Sequence, residues 1–146
     1  MIEAVIFADA VLPYPGRSWL QAAPSALART LRARAVDGLA PPWTEWFGDN
    51  PISRLVGDVD LAAALSREAP PAPMAFLEAS APDANDWERL PKAYVQLSEA
   101  YAGEADEAER LGWTVTRARL HHLAMATDPV TVARILTDSV VCRRAE

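Results

Sequence analysis

Two adjacent histidines and two carboxylates are the side chains of this sequence best suited to proton transfer. An imidazole has an ordinary pKa near neutral pH, and a neighbouring carboxylate can orient the ring and stabilise its protonated form. The polar residues that directly follow predicted strands are Asp9, Ser98, Glu99, His121 and His122. In a parallel sheet the carboxyl ends of the strands meet at one edge, where ligands bind. The sequence therefore predicts that these side chains converge there.

Three apolar segments have the composition of strands that would position these residues. The first, Ile2–Ala8, is almost continuously apolar, which is typical of a strand buried on both faces of a parallel sheet. The second is Ala93–Leu97, and the third opens at Trp113. Strands that alternate with helices form a parallel sheet with helices on its faces. We therefore predict an α/β fold with a small parallel sheet of about three strands, flanking helices and a helical cap insertion.

Proline divides residues 11–82 into short segments, which excludes long helices there. Ser25 and Asp60 are expected to cap two of the short helices. Over the whole chain of 146 residues we predict one half-domain. It consists of a first strand at residues 1–10, a helical cap region at 11–82 and a strand-helix-strand-helix segment at 83–146.

The cap region contains two clusters of large apolar side chains. The candidate substrate-binding residues are Trp43, Trp46, Phe47, Met74 and Phe76. Such residues either pack the helices on the sheet or line a pocket for an apolar ligand. The sequence leaves both interpretations open.

Helix signals are strongest in the last third of the chain. A helix whose apolar face runs from Tyr101 to Leu111 carries an acidic, solvated face and is expected to end at Gly112. Asp128 followed by Pro129 predicts the start of a final helix, because aspartate caps helix N-termini and proline is favoured at the first helical position.

Composition limits the classes of function. With 51% hydrophobic and 23% charged residues, the chain is too apolar to be disordered along its length. A formal net charge of -6 with dispersed arginines argues against a nucleic-acid partner. The single cysteine, Cys142, excludes an internal disulfide and fits a cytoplasmic location. The apolar opening contains Glu3 and lacks a basic segment before it, so neither a signal peptide nor a membrane partner is expected.

Metals and cofactors are not expected either. The adjacent His121 and His122 do not readily point at one ion, and no third metal ligand lies at a recognised spacing. The glycines are scattered along the chain and form no phosphate-binding loop. The sequence therefore implies no cofactor.

Three segments together resemble the α/β-hydrolase superfamily, in particular the esterase and lyase branch with a helical cap. Val5–Pro13 is similar to strand six and its exit loop, and Ala93–Ser98 is similar to strand seven. His121–Pro129 is similar to the loop of the catalytic histidine and the start of the final helix. The resemblance covers essentially the whole chain as the C-terminal half of such a domain. It implies that His122 is the general base, whereas His121 stands where the family usually has glycine.

Two departures from the family concern the nucleophile and the acid. The family carries its serine in a Gly-x-Ser-x-Gly turn between a strand and a helix, and the sequence contains no such turn. The segment that comes closest to such a turn has bulky residues after Ser18. Ser18 is predicted instead to begin a cap helix. Where the family commonly has an aspartate after strand seven, the sequence has Ala100. The candidate catalytic acids are therefore Asp9 first and Glu99 second, with a structural role as a loop cap as the alternative.

The absent nucleophile leaves several functions open. With a complementary N-terminal half, the chain would be a serine hydrolase acting on a small apolar ester-like or polyketide-like substrate. Alone, it would be a dimeric acid/base enzyme, such as a cyclase, lyase or isomerase, or a small-molecule-binding protein. An inactive remnant is the third alternative. Because the strand at residues 1–10 is interior in the resembled fold, its free edge predicts a homodimer or a heterodimer with an N-terminal half.

We expect a fluorophosphonate probe to leave the purified chain unlabelled. A nucleophilic serine must be activated by a base and presented on a tight turn, and no serine of the sequence has the flanking residues of such a turn. Intact-protein mass spectrometry after incubation with the probe measures the labelling. Stoichiometric modification of one serine would contradict this prediction.

Overall fold

Residues 4–82 and 89–141 are described by a computed structural model of the chain. The first residues of the predicted strand 1–10 lie outside this range, as does Cys142. The chain divides into two compact units, the first formed by Met1–Leu12 with Ala84–Glu146 and the second by Pro13–Asp83. The second unit has nearly the bounds of the predicted cap, and its role as a cap stays a prediction.

Short elements make up both units. In chain order, the strands of the described residues are β1 (Val5–Ala8), β2 (Leu39–Ala40), β3 (Ala72–Pro73), β4 (Lys92–Gln96) and β5 (Thr114–Arg117). The α-helices are α1 (Trp19–Ala22), α2 (Ser25–Arg34), α3 (Pro51–Leu55), α4 (Val59–Arg67), α5 (Met74–Glu78), α6 (Ala102–Arg110), α7 (Ala124–Thr127) and α8 (Pro129–Val141). Short 3₁₀ segments occur at Trp43–Glu45 and Glu99–Tyr101. Within the described residues, no helix combines the length and the apolar composition that a membrane span requires.

The sheet of the first unit is parallel, with β4 between β1 and β5. Ala93 of β4 pairs with Ile6 on one side and with Thr114 on the other. The three strands therefore run side by side, and their carboxyl ends lie at one edge. The predicted α/β class with a small parallel sheet is confirmed.

Helices cover both faces of the central strand β4. Successive residues of a strand point to opposite faces of a sheet. Val95 packs in an apolar cluster with Val132 of α8. The side chain of the next residue, Gln96, accepts a hydrogen bond from Arg117, whose guanidinium also binds acidic side chains of α6. Thus α8 lies on one face and α6 on the other, and every residue of β4 is buried.

β1 is less buried than its apolar sequence predicts. Each residue of Val5–Ala8 is only half-buried. β1 pairs with β4 along one edge, and no strand of the described residues pairs with its other edge. The prediction of a strand buried on both faces is wrong for β1 in the described chain, because a strand with an unpaired edge remains accessible to water along that side.

The second unit packs its short helices around an apolar core of its own. Prolines stand at the starts of α2, α3 and α5, where a residue without a backbone N–H is tolerated. α1 begins with a capping box in which Ser18 and Gln21 each accept a hydrogen bond from the other's backbone, which confirms that Ser18 starts a helix. The buried residues of this core are Leu20, Ala28, Leu31, Ala40, Met74 and Leu77.

The two ends of the second unit pair with each other. The backbone N–H of Gly16 donates to the carbonyl of Ala81, and the N–H of Ala81 donates to the carbonyl of Arg17. Ser18 and Ser80 continue this contact as an antiparallel bridge. Backbone hydrogen bonds therefore join the two ends of the unit.

Helix ends agree with the sequence in the first unit and differ in the second. Gly112 follows α6 with a φ of 76°, and the Asp128 side chain accepts a hydrogen bond from the backbone of Thr131 in α8, as predicted. In the second unit, α4 is capped by Asp58 instead of Asp60, and α2 already includes Ser25 as its first residue. Both predicted caps are wrong, because an N-cap residue lies outside the helix and these two residues are already helical.

We expect the purified chain to self-associate at micromolar concentration through the open edge of β1. No strand of the described residues pairs with this edge, and an open edge beside half-buried apolar side chains favours pairing with a strand of a second chain. The backbone N–H groups of Val5 and Asp9 donate to carbonyls of β4 and of the residue just before it. Successive N–H groups of a strand point to opposite sides, so the N–H of Ala8 points to the open edge. Ala8→Pro should therefore weaken association. Size-exclusion chromatography with light scattering tests this, and a monomer of 15.9 kDa would refute it.

Candidate functional site

Asp9 lies directly after β1, and its side chain is completely buried. Its backbone has a φ of 45°, in the left-handed region that aspartate and asparagine tolerate better than most other residues. The next residue is held by Tyr94, whose hydroxyl donates to the carbonyl of Ala10 and accepts from its N–H. The chain therefore leaves the sheet along a fixed path, with the Asp9 carboxylate at the sheet edge.

Each oxygen of the Asp9 carboxylate has two hydrogen-bond donors. The backbone N–H groups of Leu97 and Ser98 donate to Oδ1, at 2.6 and 3.0 Å. The Ser98 hydroxyl donates to Oδ2 at 2.6 Å, and His122 Nδ1 lies 3.2 Å from the same oxygen. Asp9 therefore joins the end of β1, the end of β4 and the loop after β5.

These donors keep the buried carboxylate ionised. Burial is the largest single influence on the pKa of Asp9 and raises it, because a charge is disfavoured away from water. The hydrogen bonds from His122, from the Ser98 hydroxyl and from the two backbone N–H groups lower it. Together they outweigh burial, so the pKa of Asp9 lies below its ordinary value of 3.8. The site thus contains a fixed negative charge at neutral pH.

His122 has contacts at Nδ1 and at one ring face, whereas its Nε2 makes no hydrogen bond within the described residues. Its Nδ1 faces Asp9, and its ring stacks on Tyr101 with the centroids 5.0 Å apart and the planes inclined by 18°. Its side chain is 38% exposed. Among the described residues, no group hydrogen-bonds Nε2. The geometry therefore leaves the Nε2 lone pair available to accept a proton.

The loop that carries His122 is fixed on both sides. Before it, the backbone N–H groups of Ala118 and Leu120 donate to carbonyls of Gln96 and Leu97, which extends the contact with β4 beyond β5. After it, the N–H of Ala124 donates to the carbonyl of His121 and begins α7. His122 therefore lies on a short connection that backbone hydrogen bonds hold on both sides at the carboxyl edge of the sheet.

Tyr101 places a neutral phenol against one face of the His122 ring. Burial raises the pKa of Tyr101, and the negative charges of Asp9 and Glu104 raise it further. The hydroxyl is therefore protonated at neutral pH and can act only as a hydrogen-bond donor or acceptor. The sequence predicts Tyr101 as part of a packing face and gives no sign of this stacking.

Of the residues that the sequence predicts at the sheet edge, Asp9, Ser98 and His122 meet and two others do not. Glu99 is exposed at the start of a 3₁₀ segment, and its carboxylate makes no hydrogen bond to His122. His121 turns to Thr127, with Nε2 3.1 Å from the hydroxyl oxygen, and its Nδ1 is buried with no partner among the described residues. Geometry therefore favours Asp9 over Glu99 as the partner of His122.

The sequence and the structure of the chain were compared with those of known proteins. Neither a family model nor a curated protein matches the sequence. Among solved structures, the chain is similar to an extracellular α/β-hydrolase from a Paenibacillus species, described as sharing structural and functional homology with tobacco salicylic acid binding protein 2. The TM-score is 0.71 at 20% sequence identity, over 94% of this chain and 61% of the hydrolase. The chain has part of an α/β-hydrolase fold. It spans less than two thirds of that hydrolase's length.

The candidate substrate-binding residues lie in the second unit and differ in exposure. Met74 belongs to the buried core, and the Trp46 ring packs on Trp19 while its Nε1 donates to the carbonyl of Pro41. Phe47 and Phe76 are 65% and 74% exposed. Trp43 is half-buried. Their role in binding stays a prediction within this α/β-hydrolase-like fold.

Replacing Asp9 by alanine should lower the free energy of unfolding by about 3 to 5 kcal/mol, because the buried N–H groups of Leu97 and Ser98 lose their acceptor. Asp37→Ala is the matched control. Asp37 has a similar φ of 50° but is exposed, so its replacement adds comparable backbone strain of about 1 kcal/mol without breaking this network. Urea unfolding followed by circular dichroism gives both values. Equal losses in the two variants would show that the network contributes nothing.

The same network predicts how stability depends on pH. A lowered pKa in the folded state means that the contribution of Asp9 is complete above 3.8, its ordinary value, and is lost as the pH falls through the lowered value. The stability difference between the wild type and Asp9→Asn should therefore shrink in strong acid. Urea unfolding at a series of pH values measures this difference. A difference that stays constant from neutral to strongly acidic pH would argue against an ionised Asp9.

Proposed function

We propose that Asp9 and His122 are the orienting acid and the general base of a hydrolase-like site. The observation that supports this is the 3.2 Å contact between His122 Nδ1 and the fully buried Asp9 carboxylate. A carboxylate in this place keeps the proton on Nδ1 and the lone pair on Nε2. The pair therefore has the arrangement that general-base catalysis requires.

In ester hydrolysis, Nε2 of His122 removes the proton of a hydroxyl as its oxygen attacks the ester carbonyl. The imidazolium that forms is stabilised by the negative charge of Asp9 and by the aromatic face of Tyr101. When the tetrahedral intermediate collapses, Nε2 returns the proton to the leaving oxygen. Asp9 remains ionised throughout.

We propose that the attacking hydroxyl comes from outside these 146 residues. Ser98 is the serine next to the pair, but it is buried and its hydroxyl donates to Asp9. The sequence also lacks a nucleophile elbow. We therefore propose that a complementary N-terminal half, in the same polypeptide or a separate one, supplies the nucleophile and the oxyanion donors. The open edge of β1 is the proposed contact for that half, or for a second copy of the chain.

The proposed substrate is a small apolar ester-like or polyketide-like molecule. The similar hydrolase is described as homologous to a salicylic acid binding protein, which supports a small aromatic molecule as the ligand class. Phe47 and Phe76 are exposed and available for apolar contact, with Trp43, Trp46 and Met74 in the same unit. We retain a cytoplasmic location as a proposal, although the similar hydrolase is described as extracellular.

A non-hydrolytic acid/base enzyme is the second candidate, acting as a dimeric cyclase, lyase or isomerase. The observation that favours it is that Asp9, His122 and the neutral phenol of Tyr101 all belong to this chain. A base and a neutral hydrogen-bond donor suffice for abstraction of a proton next to a carbonyl. This reaction would need no nucleophilic serine.

When the chain is assayed together with its proposed N-terminal half, His122→Ala should lower kcat/KM for aryl esters at least about 100-fold. His121→Ala is the matched control and should stay within a few-fold of the wild type, because His121 bonds Thr127 and not Asp9. Activity of the chain alone toward enolisable ketones, lost in His122→Ala, would favour the second candidate. Full ester hydrolysis by His122→Ala would remove His122 from the site.

A further inference from the structure

We propose that Ser98 is a positioning residue that sets the basicity of His122 by sharing one oxygen of Asp9 with it. This inference rests on the proposed role of His122 as the base. The Ser98 hydroxyl oxygen lies 2.6 Å from Asp9 Oδ2, and His122 Nδ1 lies 3.2 Å from the same atom. The serine is therefore the closer of the two donors to the oxygen that must stabilise the imidazolium.

Sharing an acceptor changes the strength of both hydrogen bonds. A hydroxyl that donates to a carboxylate at this distance makes a strong, charge-assisted hydrogen bond and draws negative charge toward itself. Less charge is then left on Oδ2 to stabilise the protonated ring of His122. Ser98 therefore makes His122 a weaker base than the same ring would be beside an unshared carboxylate. A base that is too strong would be protonated at neutral pH and could not accept a proton.

Hydrogen bonds and burial fix the position of Ser98. Its backbone N–H donates to Asp9 Oδ1 and its hydroxyl to Oδ2, so one residue contacts both oxygens. The side chain of Gln96 donates to its carbonyl, and only 9% of the residue is exposed. An ionised carboxylate accepts hydrogen bonds but cannot donate them, which fixes the direction of the hydroxyl.

Other titratable groups surround the pair. Tyr101 from the 3₁₀ segment before α6 stacks on His122, Glu104 lies in α6, and Tyr94 of β4 bonds the backbone after Asp9. His121 precedes His122 but bonds Thr127. None of these side chains hydrogen-bonds the Ser98 hydroxyl. A change at Ser98 therefore acts on His122 through Asp9.

The test is the pKa of His122, measured by NMR titration of its Cε1–H signal without substrate. The chain has 2 histidines, and a His121→Gln variant assigns the signals. Ser98→Ala should raise the pKa of His122 by about 0.5 to 1 unit, and Ser98→Thr, which keeps the hydroxyl, should restore it. Ser139→Ala is the matched control, because Ser139 is also buried but its hydroxyl donates to the carbonyl of Ile135 in α8. It should leave the pKa of His122 unchanged.

An unchanged or lowered pKa in a folded Ser98→Ala variant would overturn the inference. If that variant fails to fold, Ser98→Cys is the alternative. Its thiol is a weak donor, so it should raise the pKa of His122 by a smaller amount. No rise in this variant would also overturn the inference. Asp9→Asn separates this inference from the proposed function. A pKa of His122 that Asp9→Asn lowers, but Ser98→Ala does not raise, would refute only the role of Ser98. A pKa insensitive to Asp9→Asn would refute the pair itself.

Discussion

A buried negative charge has to be surrounded by hydrogen-bond donors, and this requirement organises the carboxyl edge of the sheet. Asp9 takes its donors from the backbone of Leu97 and Ser98, from the Ser98 hydroxyl and from His122. These groups come from segments that are distant in sequence and meet only when β1, β4 and the loop after β5 are in register. The contacts of Asp9 with these groups therefore exist only in the assembled sheet.

Much of this arrangement could be predicted from the sequence because it is local. Apolar runs and the helix signals at Gly112 and Asp128 depend on neighbouring residues, and they give the order of strands and helices. Asp9 could be named because it directly follows a strand, and His122 because its loop resembles that of a catalytic histidine. The wrong caps, Ser25 and Asp60, lie next to the correct helix ends, where several polar or proline residues compete for one position.

The features that could not be predicted depend on partners that are distant in sequence. The burial of β1 depends on what pairs with its second edge, which its own residues do not encode. The bond between Ser98 and Asp9 depends on the register that sets Phe7 against Tyr94. Asp9 could be ranked before Glu99 only through the resemblance to the hydrolases, because both residues follow strands. The left-handed backbone of Asp9 and the Leu97 and Ser98 amides favour the first.

The two ends of the second unit are paired, which affects how such a protein can evolve. Gly16, Arg17 and Ala81 join the two ends of the unit, so the chain that enters it and the chain that leaves it start side by side. The entropy of closing a loop between such fixed ends rises slowly with its length. We therefore expect insertions and deletions within that segment to add little to the entropy cost of closing it. Selection can then diversify the module while the acid and its histidine are inherited unaltered.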